Sequence, residues 1–338
     1  MIRAHLAATI VALAGVGAAA HGADEPVPLR GDTLEGKSGL RLLVADNPPF
    51  VLDVDSGRIS RVRGLRPIGR GVVSVVGVAG RSAVVVSDAG LDADFYAVRG
   101  RGTDATYLGK GRKVAPAVGG RSVWITRVVN RGHCGLRLVA LVGREVGGNR
   151  SFPCASEFEP AGPLGVVVNR IRIVDPRTSR TVLRTRWGVL AAAGSKLLLA
   201  GPEREFTLLD AASGTERRFP WPSIVGGRHD RAAVDPRGRY VALEFGDPAW
   251  QGGGLQVSDV WLLDVRSGSL TQLAGMPAFV SLKRTSLAWT ADGRLVLLGE
   301  TEGRDVVAVW RPGQARPALK PVRLPERSGG SDSFAVLR

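Results

Sequence analysis

The chain has 338 residues, 44% hydrophobic and 23% charged, with a mean hydropathy of +0.05. That balance excludes a disordered chain, and no long apolar run beyond the N-terminus supports a polytopic membrane protein. The formal charge of +15 comes from 46 Lys and Arg against 31 Asp and Glu. The arginines are spread along the whole sequence and aromatics reach only 6%, which describes solvated surface rather than a nucleic-acid face.

Length alone suggests about two domains, although all-β rings of this size form one. The 45 Gly and 20 Pro exceed the ~12% usual for the two together; they call for many tight turns and argue against a helical bundle. At the N-terminus, Arg3 precedes an uncharged stretch from Leu6 to Ala20. It is too short and too rich in Ala and Gly to span a membrane, which takes ~20 apolar residues. Ala18 and Ala20 suit a signal-peptidase site. Residues 1–20 are therefore expected to be a secretory signal peptide, leaving 21–338 as a single extracytoplasmic domain, secreted or in the periplasm or cell wall, with no transmembrane segment.

From residue 40 onward two hairpin types alternate. One is an apolar strand, a polar turn and a second strand: VLDVDSGRISRV at 51–62, IRIVDPRTSRTVL at 171–183, FTLLDAASGTERRF at 206–219 and VWLLDVRSGSLTQL at 260–273. In three of these the turn reads D-x-x-S-G, where Asp bonds its own backbone and Gly supplies the positive φ at the exit. The other type turns on a Gly between apolar strands, as in VVGVAGRSAVVVS at 75–87, APAVGGRSVWITRV at 115–128, VLAAAGSKLLLAG at 189–201, AAVDPRGRYVALEF at 232–245 and LAWTADGRLVLLGE at 287–300. The turn glycines Gly80, Gly120, Gly194, Gly238 and Gly293, with Gly39 and Gly165, mark seven repeats. Two hairpins per repeat of roughly 42 residues make the four-stranded antiparallel blade of a β-propeller. The fold class is thus all-β, a seven-bladed β-propeller. The first repeat supplies only three strands, and the segment SDSFAVLR at 331–338 is expected to enter as the innermost strand of blade one and close the ring.

Cys134 and Cys154 are the only cysteines. In an oxidising compartment they are expected to form a disulfide, at the open end of a hairpin whose turn is placed at Gly147-Gly148. Glu157 and Glu159, alternating with Phe158, read as the wet face of a strand. Trp221, between two prolines, is expected to pack at a blade junction.

The runs TADGRLVLL at 290–298 and DPRGRYVAL at 235–243 resemble the inner hairpin of TolB-like propeller repeats, and LLDVRSG at 262–268 resembles their outer hairpin. The resemblance is good over the last three repeats and fair over the first. It implies a propeller in an extracytoplasmic setting, used as a partner-binding platform or as a domain supporting an enzyme; these turns shape the blade and name no ligand.

Chemistry-bearing residues are sparse. No G-x-S-x-G elbow occurs, and four histidines, two of them at or before the expected cleavage, do not make a multi-His metal centre. Asp88, Asp92 and Asp94 hint at a calcium loop but lack a closing Glu; otherwise no cofactor is expected. The segment FGDPAWQGGGLQVSD at 245–259 lengthens blade six and reads as a recognition loop, with Asp247, Trp250 and Gln251 as ligand-binding candidates. His229 and Arg231, just before an inner strand, are candidates for the channel. The expected function is a monomeric, non-enzymatic platform for a protein or an anionic cell-envelope polymer, with no nucleic-acid partner. The alternative is a propeller enzyme of lactonase or quinoprotein type with a metal or cofactor in its channel.

Overall fold

The computed structural model describes residues 27–66, 71–88, 92–130, 133–201, 204–222, 228–252, 255–281, 286–326 and 333–337. The expected signal peptide at 1–20 lies outside them. The described strands form seven sheets, one per repeat. Blade two is representative: Val72–Ala79, Ser82–Asp88, Ala93–Arg99 and Ala105–Gly111 pair in order, each antiparallel to the next. Blades three to seven begin with the inner strands Lys113–Pro116, Phe158–Pro160, Gly188–Ala193, Arg228–Val234 and Ser286–Trp289. One 3₁₀ turn, Gly162–Leu164, is the sole described helix. The stretch at 189–201, the one that could pass for a helix, is two strands, Gly188–Ala193 and Lys196–Ala200.

Blade one is completed from the other end of the chain. Phe334–Leu337 pairs antiparallel with Arg41–Val44, which pairs with Phe50–Asp53 and then Ile59–Arg61. The expected closure is what the register shows, with Arg41 opposite Leu337 and Val44 opposite Phe334.

A twisted sheet has two apolar faces and buries neither alone, so the hydrophobic core is divided. Seven clusters of buried side chains sit at the seven junctions between neighbouring blades. Phe334 and Val336 join the cluster with blade seven, while Ala335 and Leu337 join the cluster with blade two. Trp221 sits at the junction of blades five and six, its ring 5.3 Å from Phe206 and 5.6 Å from Phe245, as its sequence position implied.

The recurrent turns have the anticipated chemistry. Asp53 accepts hydrogen bonds from the Ser56 amide and hydroxyl at 2.9 and 2.7 Å, and Gly57 follows at φ 70°. In the hairpin at 171–183 the glycine position is taken by Ser179, at φ 58°, with Asp175 capping Arg177 and Thr178. One turn differs from expectation. The hairpin before Cys154 reverses at 141–144, where Gly143 has φ 85°; Gly147 and Gly148 lie inside the strand Glu145–Phe152, opposite Leu138 and Arg137. A Cβ on Gly148 would come within 2.4 Å of the Leu136 carbonyl oxygen, so this glycine admits a close strand approach, not a turn.

Candidate functional site

Strands alternate in direction across each blade, so the two ends of the ring differ in what they carry. The first-to-second and third-to-fourth turns lie at one end. The second-to-third turns and the blade-to-blade connections lie at the other, here the connection end. All the turn glycines that mark the repeats fall at the first end. The candidates singled out by chemistry fall at the connection end: His229 and Arg231 at the start of the blade-six inner strand, Asp247, Trp250 and Gln251 in its second strand, and Asp88, Asp92 and Asp94 around the second-to-third turn of blade two.

The segment at 245–259 is not a loop. Tyr240–Gly252 and Leu255–Asp264 continue as strands past the body of blade six, pairing Asp247 with Val257 and Gly252 with Leu255. On the other flank of Leu255–Asp264, Ala278–Ser281 adds antiparallel at Leu255 to Ser258, and Val27–Pro28 adds parallel to it. Gly and Pro made this stretch look irregular, but its two arms pair with each other and Leu255–Ser258 pairs in addition with a segment some twenty residues downstream. The side chains of His229, Arg231, Asp247, Trp250 and Gln251 lie outside the described ones.

Beneath this extension two buried carboxylates are paired, while the buried Trp261 Nε1 has no hydrogen-bond partner among the described residues. Ser258 donates to Glu244 at 2.9 Å, both fully buried or nearly so. Gln272 Nε2 donates to both oxygens of Asp259 at 3.0 and 3.2 Å. Burial raises the Asp259 carboxyl above its ordinary range, against the hydrogen bonds from Gln272.

At blade two, Asp94 accepts from the Tyr107 hydroxyl at 3.1 Å, and Asp92 is exposed. The side chain of Asp88 and residues 89–91 lie outside the described ones. Among the described residues no group of three His, Cys, Asp or Glu is placed to hold a metal ion.

Cys134 and Cys154 are bonded, with Cα atoms 5.0 Å apart. The bridge ties the third strand of blade three to the connection that enters blade four. Just beyond it, Asn169 and Arg170 form a two-residue turn with φ 52° and 66°, a conformation that costs a non-glycine residue about 1–2 kcal/mol. Side chains hold it: Asn169 Oδ1 accepts from Ser156 N and Oγ at 2.9 and 3.1 Å, and Arg170 Nε donates to both oxygens of Glu157 at 2.8 and 2.7 Å.

The central channel is a cavity of about 1520 Å³ lined by inner strands of all seven blades. Its wall is mostly apolar, with Val76, Val118, Leu190, Ala233, Leu287 and Phe334 among the lining residues. Among the described residues five charged ones line it, Arg112, Lys113, Glu159, Asp175 and Arg177. Asp175 is committed to its turn. Arg112, Lys113 and Glu159 stand where the chain enters the inner strands of blades three and four, exposed to the channel. Enclosure by the blades raises the Glu159 carboxyl above its ordinary range, and repulsion from Glu157 adds to this; Arg170 and Lys113 oppose it. The sequence reading placed Glu159 on a wet strand face, which is right, but nothing in it put Lys113 beside that face.

No protein-family model and no curated protein matches the chain. Solved structures do. TolB from Acinetobacter baumannii is 14% identical with a TM-score of 0.50, over 91% of this chain and 68% of that one. A functionally unknown protein from Desulfotomaculum acetoxidans is 11% identical with a TM-score of 0.51, over 89% and 99%. The β-propeller domain of the trilobed protease from Pyrococcus furiosus is 10% identical with a TM-score of 0.50, over 76% and 85%. At these identities the likeness establishes the propeller fold and nothing finer. The protease domain is described as having an open velcro topology, whereas here the ring is closed by the strand Phe334–Leu337.

Proposed function

We propose that the protein is a non-enzymatic, extracytoplasmic platform that binds a protein or an anionic cell-envelope polymer at the connection end of its ring. The observation that carries this reading is the blade-six extension. A hairpin prolonged beyond the needs of the blade, and braced by two further strands, adds rigid backbone where the other blades have short turns, and rigid elements hold a recognition surface better than loops. The disulfide at the same end and the leader-like N-terminal sequence support an oxidising compartment. The net charge of +15 favours an anionic partner.

Trp250 is the proposed anchor, since aromatic side chains dominate interface energetics. The test is a pull-down from the extracytoplasmic fraction with wild-type protein and Trp250→Ala, both checked for equal melting temperature. The variant is expected to recover its main partner at least tenfold less well, the loss of roughly 2 kcal/mol that a hot-spot tryptophan carries. Equal recovery by the two proteins overturns the assignment of the site to this hairpin.

A further inference from the structure

The end of the ring opposite the connection end carries arginines that the fold does not use. In blade two the first turn ends on Arg81 and the second is flanked by Arg99 and Arg101; the two turns of blade three carry Arg121 and Arg144. All five are exposed, and every residue of these four turns is described. Among the described residues, none of the five side chains has a hydrogen bond or an ion pair. The two carboxylates on the same turns are already paired, Asp104 with Arg63 at 3.0 Å and Glu145 with Arg137 at 3.7 Å. The flanking blades do not offset the arginines. On blade one Glu35 is matched in number by Lys37, while Asp53 and Asp55 are bonded to Ser56 and Ser38. On blade four the turn Gly162–Leu164 is uncharged, and Asp175 is committed to its own turn beside Arg177 and Arg180.

These turns form one rigid surface. The Arg81 carbonyl accepts from Gly100 N at 2.9 Å and the Arg121 carbonyl from Leu141 N at 3.1 Å, so the two turns of each blade lie side by side. Between the blades, Gly80 and Gly120 meet so closely that a Cβ on either would clash, and a Cβ on Gly143 would lie 2.6 Å from the Tyr107 carbonyl oxygen of blade two. Val118 and Val142 stand at the tips of the two turns of blade three. At 71% and 60% they are the most exposed large apolar residues among the described ones. A single exposed valine is ordinary. Two at adjacent tips, set among cations without counter-charges, have the make-up of a surface that enters a membrane interface.

We propose that this face docks on an anionic phospholipid bilayer, with the five arginines on the lipid phosphates and Val118 and Val142 entering the layer just beneath them. The guanidinium fork matches phosphate oxygens, and an anionic membrane surface attracts clustered cations. The valines select a bilayer over a soluble polyanion. A charged polymer would neutralise the arginines and leave the two tips in water, whereas a bilayer sets an apolar layer directly under its phosphates. Both tips can approach that layer without baring backbone donors, because Gly120 N bonds to the Ala117 carbonyl at 3.2 Å and Gly143 N to the Ala140 carbonyl at 2.8 Å. The close inter-blade contacts hold the turns in place beforehand, so little ordering is needed on docking. This face lies at the end of the ring away from the blade-six hairpin, and the inference stands or falls independently of the site proposed there.

The test is co-sedimentation with lipid vesicles of protein purified from the extracytoplasmic fraction, its mass measured so that a retained leader is not mistaken for this surface. Binding to vesicles of equal parts phosphatidylglycerol and phosphatidylcholine is expected to be at least tenfold tighter than to phosphatidylcholine alone, and to weaken with added salt. The double variant Arg121→Gln/Arg144→Gln is expected to weaken it at least tenfold, about what two surface cations contribute. Val118→Ser/Val142→Ser is expected to weaken it several-fold. Arg127→Gln/Arg304→Gln removes the same charge from exposed side chains toward the connection end and is expected to bind as wild type does. Because all six side chains are exposed, equal melting temperatures are expected and serve as the folding control. Absence of a preference for the anionic vesicles, which would leave an acidic protein as the occupant of this face, overturns the proposal. So does a loss for Arg127→Gln/Arg304→Gln as large as for Arg121→Gln/Arg144→Gln, which would reduce the effect to net charge. Unchanged binding by Val118→Ser/Val142→Ser overturns it as well, since the apolar layer is then not entered.

Discussion

Single residues set most of what is regular in this protein, and they do so at turns. Asp175 and Asp53 each spend a carboxylate on turn donors. Asp175 is held below its ordinary value of 3.8 chiefly by the Arg177 amide and next by the Thr178 hydroxyl. Asp53 is lowered in the same way by the Ser56 amide and hydroxyl. A carboxyl with a depressed pKa contributes stability that is fully present above 3.8 and is lost as the pH falls through the folded value. Exposure to solvent screens the effect, so each contribution is small. Asp175→Asn, which keeps an acceptor oxygen but not the charge, is expected to be less stable than wild type in urea at about pH 7. The gap is expected to narrow as the pH falls below 3.8 and the wild-type carboxyl takes up its proton at its lowered folded-state value. A gap of constant size across that range would show that the charge plays no part. Asp259 and Glu159 run the other way, since carboxyls raised by burial oppose folding most when ionised.

At the scale of the element, the same glycines do different work in different blades. Gly80 and Gly120 belong to the first turns of blades two and three, and they touch: a Cβ on Gly80 would lie 2.2 Å from the Gly120 carbonyl oxygen, and one on Gly120 2.6 Å from the Gly80 nitrogen. Gly194, in the corresponding turn of blade five at φ 64°, would meet nothing within 4 Å. Gly194→Ala therefore incurs the conformational cost alone, about 1 kcal/mol, while Gly120→Ala adds a backbone clash that the two blades must part to relieve. The expected result in denaturant titration is a loss for Gly120→Ala at least twice that for Gly194→Ala; equal losses would mean that the contact between the turns is not tight.

These two glycines also show where a sequence speaks and where it is silent. Turn chemistry constrains residue type at each position, so the repeats, the four-stranded blade and the closing strand could be read from Asp, Ser and Gly spacing. Contacts between blades leave no such trace, and the juxtaposition of Lys113 with Glu159 joins positions in different repeats that have no shared pattern. The blade-six extension was misjudged for a related reason. Gly252 and Pro248 have the composition of a loop, but the stretch that holds them pairs with Leu255–Asp264, whose other flank is covered by Ala278–Ser281. Gly147 and Gly148 misled in the same direction, because glycine serves close strand approach as well as turns.

For the whole molecule, stability is shared among seven junctions, and two of them depend on four residues at the end of the chain. Phe334, Ala335, Val336 and Leu337 are each at most 6% exposed. Burial of the Phe, Val and Leu side chains at about 1.5–3 kcal/mol each is comparable with the entire net stability of a typical domain, ~5–15 kcal/mol. Deletion of residues 331–338 is therefore expected to lower the melting temperature by well over 10 °C or to prevent folding, read by calorimetry or circular dichroism. An unchanged melting temperature would show that the remaining three strands of blade one suffice.

The pairing of Arg41 with Leu337 also sets a timetable. The four antiparallel strands of each of blades two to seven are consecutive in the chain and can form as their own segments emerge, but blade one must wait for a strand synthesised after all of them. Until then the backbone of Arg41–Val44 has an open edge, and the inner flanks of blades two and seven are bare. The longest-lived incomplete form of this protein should be an arc of blades with one exposed strand edge, the species most apt to pair with another copy of itself.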